Sequence, residues 1–365
     1  MKIIKDLSKI RVINLEGSPN ERGYLHGETL KFEIIEIIER YKYSLQINYK
    51  KNPEQLINYF LSNTNFLAAV KKWSPHLIEE IEGIAEGVGV EFNEIFAMQM
   101  VAHDEGWWFF QNHSSFERCS SLGCFKSGDQ PVLIAQNLDL PNIFEGLEVL
   151  FHIKNEESSL ESYVLSHAGF LGEFGVNNQS VAICCNSLSS YLNNSPNGLP
   201  FTYIIRSVLE KSNLKEAEHF LKNIHHASAQ NYIIGGKNRI VCYECSANKI
   251  AQFEPFKGAQ RIYHTNHPLI NDDKITPAVE LTSPSTSNTR LDYLKARLKD
   301  LSKKVSIDTI KNILRSHIGP ICVHHNNQPN SGYTYSSVII SLNTPPTLYL
   351  TIGPPCLTEY SKLTF

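Results

Sequence analysis

The residues best suited to chemistry form a short tract in the first third of the chain. Cys119 is followed by two serines (120–121), by an apolar stretch over residues 132–134, and then by Asp139. We expect a strand here that brings the Asp139 carboxylate back toward the thiol. If the Arg118–Cys119 peptide bond breaks, Cys119 carries both a thiol and a free α-amino group. The ordinary pKa of that amine, about 7.7–8.0, suits a general base near neutral pH.

Both central residues also have structural interpretations. A lone cysteine is usually a small core residue, but the polar neighbours Glu117, Arg118 and Ser120 argue against ordinary burial of Cys119. Positive neighbours and backbone donors favour a thiolate instead. Asp139 is equally typical of a turn cap, although an acid at the end of an apolar strand is costly unless it is paired.

Two asparagines and one arginine are further candidates. Asn186 and Asn266 each follow an apolar run, where asparagine is common for turn geometry alone. An amide side chain can also donate a hydrogen bond to an oxyanion without introducing a charge. Arg290 opens a predicted helix, where a cation is disfavoured unless an acid or a ligand carboxylate lies nearby; without such a partner it would be a solvated surface residue.

A zinc site is a competing interpretation for four other residues. His264 and His267 are closely spaced, as are Cys242 and Cys245, and all four are zinc-ligand types. However, Cys242 and Cys245 lie in a strand pattern, where positions three apart face opposite sides. We therefore predict no metal ligands among these four.

Composition excludes several classes of protein. The chain has 365 residues, 42% hydrophobic and 19% charged, which is typical of a globular protein with a substantial core. A formal charge of −3 without long basic runs argues against a nucleic acid or an anionic membrane as partner. No apolar stretch approaches the length of a membrane span.

The cellular setting is predicted to be reducing. Charges interrupt residues 1–11, so this region lacks the apolar segment of a secretory signal. Eight cysteines in a chain of this length do not indicate a disulfide scaffold. Several of them, Cys322 included, lie in apolar runs typical of buried strands. We therefore expect a cytoplasmic protein.

The pattern of elements predicts an α+β protein. Residues 18–93 are mostly helical in pattern, with a Ser18–Glu21 capping box and apolar residues at helical spacing from Leu30 to Leu45. Strand patterns dominate after Ser120, interrupted by helices near residues 201–224 and 288–316. Such blocks favour a layered α+β arrangement over regular βαβ alternation.

Several tracts share their order and spacing with one family. Together with the Cys119 tract they resemble the penicillin acyltransferase-like cysteine peptidases. This branch of the N-terminal-nucleophile amidases includes isopenicillin-N acyltransferase and is related to bile-salt hydrolases. The resemblance covers nearly the whole chain. The matching tracts are residues 17–27, 82–87, 93–95, 184–186, 264–267, 289–290 and 353–355.

The resemblance implies roles for the candidate residues. Asp139 would orient the α-amino group of Cys119, and Asn266 would hold the oxyanion. Asn186 matches an oxyanion residue of the bile-salt branch. Arg290 would lie beside the thiol, the aspartate or the substrate.

The resemblance also implies a fold, an activation step and a substrate class. The fold is a four-layer αββα sandwich, in which Ser121 and His264 are candidates for the pocket lining. Self-cleavage would leave residues 1–118, a helical pro-segment, as a non-covalent subunit on the catalytic region 119–365. The substrate would be a small acyl amide or acyl thioester, and no metal or organic cofactor is implied.

Two positions depart from the family pattern. Gln136 stands where bile-salt hydrolases have an arginine, so no arginine function is assigned there. Arg118 stands where the family usually has glycine, and its bulk is expected to slow cleavage. The aromatic run 107–110 either occupies the pocket before cleavage or simply packs.

Two other functions fit the same residues. The first is a conventional cysteine hydrolase that pairs Cys119 with His113, His167 or His264 and needs no cleavage. The second is a non-catalytic protein of the same fold that binds an acylated amine.

Overall fold

Fourteen strands and eleven α-helices form among the residues that the computed structural model describes, which are 10–111, 119–155, 158–255, 260–276, 285–300, 304–325 and 332–365. The strands are β1 (Val12–Leu15), β2 (Ser120–Cys124), β3 (Leu133–Pro141), β4 (Glu148–Lys154), β5 (Glu161–His167), β6 (Phe174–Asn177), β7 (Ala182–Ser187), β8 (Gln230–Gly235), β9 (Ile240–Cys245), β10 (Ile250–Gln252), β11 (Arg261–His264), β12 (Gly332–Ser341), β13 (Thr347–Ile352) and β14 (Ser361–Thr364).

Seven helices precede β2 and four lie between later strands. They are α1 (Pro19–Thr29), α2 (Lys31–Tyr49), α3 (Pro53–Ser62), α4 (Phe66–Trp73), α5 (His76–Val88), α6 (Phe92–Val101), α7 (Asp104–Phe109), α8 (Phe201–Leu209), α9 (Leu214–Asn223), α10 (Ser287–Leu298) and α11 (Ile307–Leu314). The predicted capping box is present, because the Ser18 hydroxyl accepts from the Glu21 backbone and the Glu21 carboxylate accepts from the Ser18 backbone.

The strands form two sheets. The larger has eight strands in the order β1-β4-β5-β6-β7-β8-β9-β10, and the smaller has six in the order β11-β2-β3-β12-β13-β14. All pairs are antiparallel except β1 with β4. In the smaller sheet β3 is central, with Ser120 of β2 opposite Asn137 and Thr334 of β12 opposite Asp139.

The two sheets pack face to face, with helices on both outer faces. Between the sheets, Gly123 of β2 lies so close to the Ile240 side chain of β9 that a Cβ would be 2.9 Å from it. On the outer face of the smaller sheet, Leu133 and Ala135 share a buried cluster with residues of α10 and α11. The larger sheet carries α8 against β6 and β7, and α9 against β8. The predicted αββα sandwich is therefore confirmed.

Glycines allow the first helical region to pack closely. A Cβ at Gly23 of α1 would lie 2.0 Å from the Glu80 carbonyl oxygen, and one at Gly83 of α5 would lie 2.1 Å from that of Asn20. Gly27 and Gly87 continue the same contact. The tracts 17–27 and 82–87 therefore form one helix–helix interface. The region also contains a strand, because β1 pairs with β4 in the larger sheet.

Candidate active site

Cys119 and Asp139 lie together at one end of the smaller sheet. Cys119 directly precedes β2 and is 9% exposed. Its Sγ lies 4.0 Å from the backbone oxygen of Asp139 on the neighbouring strand β3. Both residues line one narrow cavity between the sheets and the N-terminal helices. The predicted return of the chain to the thiol is therefore present, made by a hairpin-like pair of antiparallel strands.

Arg290 joins this pair to Asn266. Its fully buried guanidinium donates from Nη1 to the Cys119 carbonyl oxygen at 2.5 Å and to Ser120 Oγ at 3.0 Å. Nη2 donates to Asn266 Oδ1 at 3.0 Å. Nε donates to Thr286 Oγ1 at 3.1 Å, which fixes the side chain against the start of α10. The position of Arg290 beside Cys119 agrees with the expectation from the sequence.

Asn266 lines the cavity with a fixed orientation of its amide group. Because a guanidinium can only donate, the Asn266 oxygen must face Arg290 and the NH₂ group must point away from it. Nδ2 then donates one hydrogen to the Ser187 carbonyl oxygen at 3.2 Å. The backbone N–H of Asn266 donates to Ser287 Oγ at 2.8 Å. Arg290 therefore holds the oxygen of this cavity-lining amide, and Ser187 accepts one of its hydrogens.

Asn186 and Ser121 lie next to this arrangement but do not line the cavity. Ser121 Oγ donates to Asn186 Oδ1 at 2.5 Å, and Asn231 Nδ2 donates to the same oxygen at 3.1 Å. Asn186 Nδ2 is buried and has no hydrogen-bond partner among the described residues. Ser121, expected to line the pocket, instead bridges the two sheets.

His264 supports a loop rather than the thiol. Its Nδ1 lies 2.7 Å from the Thr265 carbonyl oxygen and its Nε2 lies 2.8 Å from Glu244 Oε1. Glu244 also accepts three backbone N–H groups from residues 269–271. Burial opposes ionisation of Glu244, but its hydrogen bonds with His264 and this loop lower its pKa below the ordinary value. The expectation that His264 lines the pocket is therefore wrong.

The residues of the rejected zinc interpretation have other partners. Cys242 Sγ donates to Asn231 Oδ1 at 3.0 Å. His267 Nδ1 lies 2.7 Å from Ser287 Oγ. Cys242 and His267 therefore have separate hydrogen-bond partners, Asn231 and Ser287.

Sequence reasoning missed the residues that form the opposite wall of the cavity. His103 and Asp104 enter it from the start of α7, Glu173 from the loop before β6, and Gln230 from β8. Gln230 Nε2 donates to Asp104 Oδ2. One available signal was the run His103–Asp104–Glu105, which places three titratable side chains directly after an apolar helix.

A buried cluster of two histidines and one glutamate adjoins this wall. The Nε2 atoms of His103 and His167 are 3.0 Å apart, and both lie within 3.3 Å of Glu173 Oε1. Burial lowers the pKa of His103 to about 4 and that of His167 to about 3. Burial raises the pKa of Glu173 to about 7, against the attraction of His103. The two imidazoles are therefore neutral near pH 7.

The Cys119 thiol is protonated in this environment. Burial raises its pKa to about 12, and the charge of Asp139 adds to the shift. A hydrogen bond to the Asp139 backbone and the charge of Arg290 oppose it. A proton acceptor is therefore needed before Cys119 can act as a nucleophile.

Two predicted residues lie outside the described part of the chain. These are Arg118, on the N-terminal side of the expected cleavage point, and His113. Of the aromatic run, Trp107 lines the cavity, whereas Phe109 and Phe110 contact Phe60 of α3. One member of the aromatic run therefore reaches the cavity, and two others pack against α3.

Comparison with known proteins places the chain in a family. The profile of the family described as acyl-coenzyme A:6-aminopenicillanic acid acyl-transferase matches residues 125–354, well over half of the chain. The chain belongs to this family. The matched range includes Asp139, Asn186, Asn266 and Arg290, and it begins shortly after Cys119. The resemblance found in the sequence tracts is confirmed.

Curated proteins also match the chain at low identity. The 40 kDa form of acyl-coenzyme A:6-aminopenicillanic-acid-acyltransferase from Emericella nidulans is 26% identical over 269 residues, covering 71% of this chain and 70% of the relative. Protein dcd1A of Dictyostelium discoideum is 25% identical, covering 55% of this chain and 50% of its own length. Protein dcd1B of the same organism is 22% identical, covering 84% and 64%.

Solved structures were also compared. A variant of the conjugated bile acid hydrolase from Clostridium perfringens aligns with a TM-score of 0.43 and 12% identity, covering 68% of this chain and 97% of that chain. Penicillin V acylase from Agrobacterium tumefaciens aligns with a TM-score of 0.40 and 16% identity, covering 64% and 82%. Within the described residues, none of the helices combines the length and the apolar character needed to cross a membrane.

Proposed function

We propose that this member of the acyltransferase family is a cysteine amidase or acyltransferase with Cys119 as its nucleophile. Cleavage of the Arg118–Cys119 bond would activate it by creating an α-amino group on the nucleophile. The substrate would be a small acyl amide or acyl thioester, attacked to give an S-acyl enzyme. Water as acceptor would make the reaction a hydrolysis, and an amine would make it an acyl transfer.

The observation that best supports this proposal is the bridge made by Arg290. One buried guanidinium contacts the backbone of Cys119 and the side chain of Asn266. It thereby links the backbone of the nucleophile to the amide, and it holds the Asn266 oxygen so that the NH₂ group is directed away from the guanidinium. A carbonyl whose carbon meets the thiol could place its oxygen near this amide donor, as an oxyanion hole requires.

In the proposed reaction the α-amine of Cys119 accepts the thiol proton as sulfur attacks the carbonyl carbon. Asn266 stabilises the resulting oxyanion. The C–N bond then breaks, and the α-ammonium group returns its proton to the leaving amine. Attack by water or an amine on the thioester releases the acyl group and restores the thiol. Asp139 would orient the α-amine throughout.

Activation follows similar chemistry. The Cys119 thiol would attack the carbonyl carbon of Arg118, transferring the acyl group from nitrogen to sulfur. This shift breaks the C–N bond and frees the α-amine. Water would then open the thioester, restoring the thiol and leaving residues 1–118 as a separate polypeptide. Because the uncut thiol has a pKa of about 12, its deprotonation would limit this step, and Arg118 would add steric hindrance.

A second candidate is a cysteine hydrolase that works uncut. His103 favours it, because its ring lines the same cavity as Cys119. The histidines expected from the sequence are less suitable, because His167 and His264 do not line this cavity and His264 contacts Glu244 instead. His113 lies outside the described residues.

Intact mass spectrometry of the purified chain tests the proposal. We expect two polypeptides, residues 1–118 and 119–365, from the wild type and one uncut chain from Cys119→Ala. A thiol-reactive acyl amide probe should label only the fragment that begins at Cys119. Cys124→Ala is the matched control, since Cys124 lies on the same strand but packs against the outer helices. It should still be cleaved and labelled.

Three results would count against the proposal. An uncut wild-type chain with full amidase activity would favour the His103 mechanism. Labelling that is as rapid and complete in Cys119→Ala as in the wild type would exclude Cys119 as the nucleophile. A cleaved chain that neither labels nor turns over any N-acyl amino acid or acyl thioester would favour a binding protein.

A further inference from the structure

Four potential metal ligands converge at the end of the smaller sheet that also carries Asp139. His317, Cys322 and His324 lie between α11 and β12, and Cys356 follows β13. One ligand atom from each lies within 4.8 Å of every other. Cys322 Sγ is 3.4 Å from Cys356 Sγ, which is 3.1 Å from His324 Nε2. Cys322, expected in a strand, in fact lies in a loop.

This geometry fits a tetrahedral zinc site. With Zn–S near 2.3 Å and Zn–N near 2.0 Å, the ligand atoms of a Cys₂His₂ site are separated by about 3.3–3.8 Å. The separations between Cys356 and its two neighbours are close to these values. His317 and His324 are exposed, so rotation of their rings can shorten the longer separations.

The tautomer of His317 also fits a ligand. Its Nδ1 lies 3.0 Å from the Cys322 carbonyl oxygen, and a carbonyl can only accept, so Nδ1 carries the hydrogen. In the neutral ring, Nε2 is therefore the nitrogen that can ligate a metal. Ligand histidines typically donate their other ring nitrogen in this way, which fixes the orientation of the ring.

We infer that His317, Cys322, His324 and Cys356 bind one zinc ion as a structural site. Binding would release the two thiol protons, since cysteine ligates as thiolate. The competing arrangement is a Cys322–Cys356 disulfide. A disulfide explains the two cysteines but not the approach of two imidazoles to the same point, whereas zinc uses all four side chains.

The site would hold the end of the sheet on which Asp139 lies. The loop that contains Cys322 is already tied to β3, because Asn137 Nδ2 donates to the carbonyl oxygens of Leu314 and Ile321. It is also tied to β12, where Val323 exchanges two hydrogen bonds with Thr334, the residue opposite Asp139. Zinc would add a link from this loop to Cys356. This inference is independent of the proposed function.

Metal analysis of the full-length chain tests the inference. Purified Cys119→Ala protein, which lacks the candidate nucleophile thiol, should contain about one zinc per chain. Cobalt(II) exchanged into the site should give the intense visible absorption of tetrahedral coordination, together with thiolate-to-metal charge transfer. Cys356→Ser and His324→Ala should lose the zinc. His325→Ala is the matched control, an exposed neighbouring histidine outside the cluster, and it should keep the zinc.

Chelation provides a measurement that does not depend on the folding of variants with altered ligand residues. Removing zinc from the intact Cys119→Ala chain should lower its thermal midpoint, and adding zinc back should restore it. A metal-free protein with a Cys322–Cys356 disulfide by mass spectrometry would overturn the inference. So would a cobalt spectrum without thiolate bands, which would place the metal elsewhere, for example at His103, His167 and Glu173.

Discussion

At the scale of single residues, Arg290 determines how the candidate site is arranged. Burying a cation is costly, and the cost is acceptable only where hydrogen bonds replace water. Arg290 meets this condition by donating to Thr286, Ser120, Asn266 and the Cys119 backbone. Its fork geometry allows it to contact Cys119 and Asn266 at once, which a single ammonium group cannot do.

Replacing Arg290 by lysine should therefore reduce turnover by more than the accompanying loss of folding stability explains. Without the fork, Asn266 is free to rotate and the oxyanion donor is lost for part of the time. We expect kcat per cleaved chain to fall by about 10²–10³, the usual effect of removing one such donor. Thermal melting and steady-state kinetics on an acyl amide substrate measure the two effects separately.

Arg261→Lys is the matched control for this prediction. Arg261 is also buried at the smaller sheet, but its Nη1 donates to the carbonyl oxygens of Leu298 and Asp300 at the end of α10. Its replacement should lower the melting temperature with little change in kcat. If Arg290→Lys keeps the wild-type kcat, the positioning role is refuted.

Glu105 provides a test of buried electrostatics. Burial raises its pKa from 4.5 to about 7, against hydrogen bonds from Ser228 and the Phe201 backbone. Between these values the folded chain holds a proton that the unfolded chain has lost, so stability from this group falls as pH rises. At about 1.4 kcal/mol per pH unit, titration of Glu105 lowers the free energy of unfolding by about 3 kcal/mol by pH 7.

Glu105→Gln should remove this pH dependence. The amide keeps an oxygen to accept from Phe201 and Ser228 but does not ionise. The difference in free energy of unfolding, variant minus wild type, should rise between pH 4.5 and 7 and level off above it. Urea unfolding at a series of pH values measures this difference, and the buried histidines contribute equally to both proteins. A difference that does not change with pH would show that Glu105 does not titrate in this range.

At the scale of elements, the placement of Asn266 depends on a loop that Glu244 holds. One carboxylate accepts three backbone N–H groups and faces His264, the last residue of β11. Asn266 then reaches the cavity two residues after the strand ends. The motif around residues 264–267 therefore combines a structural histidine with a cavity-lining amide.

The glycines in the tracts 17–27 and 82–87 also have a structural cause, because they allow α1 and α5 to pack closely. Alanine at Gly83 would place a methyl group 2.1 Å from the Asn20 carbonyl oxygen, so the helices would have to separate. We expect Gly83→Ala to reduce the free energy of unfolding by at least about 2 kcal/mol. Glu82→Ala, exposed on the same helix, should change it by less than about 0.5 kcal/mol. Equal midpoints of urea unfolding for the two variants would contradict this.

Sequence reasoning located some of these parts and missed others for physical reasons. The strand that carries Asp139 could be predicted from the sequence, because the apolar residues 132–134 lie at its start. The strand β2 could not, because Ser120–Cys124 has little strand-forming character and is stabilised by its neighbours β3 and β11. His103 and Glu173 are far apart in sequence and meet Cys119 only through tertiary packing. The role of His264 could not be inferred, since its partner Glu244 lies on another sheet.

At the scale of the whole molecule, residues 10–111, which precede Cys119, are part of the folded structure. Its strand β1 extends the larger sheet. Glu80 of α5 pairs with Arg206 of α8 in a buried contact, and Glu105 accepts from the Phe201 backbone. These contacts join residues on either side of the proposed cleavage point and do not involve the peptide bond between Arg118 and Cys119. Cutting that bond would therefore leave them intact.

We therefore expect the two fragments of a cleaved chain to stay together. Residues 1–118 and 119–365 should elute as one species in size-exclusion chromatography under native conditions and separate only in denaturant. Arg206→Met should weaken this association, because it leaves Glu80 with a buried charge that only the longer 3.4 Å contact to Arg22 partly compensates. The control is Lys211→Met, because Lys211 is partly buried and lies just beyond the end of α8. Fragments that separate without denaturant would mean that the first region is a removable propeptide, and that the cavity wall formed by His103, Asp104 and Trp107 is absent from the active form.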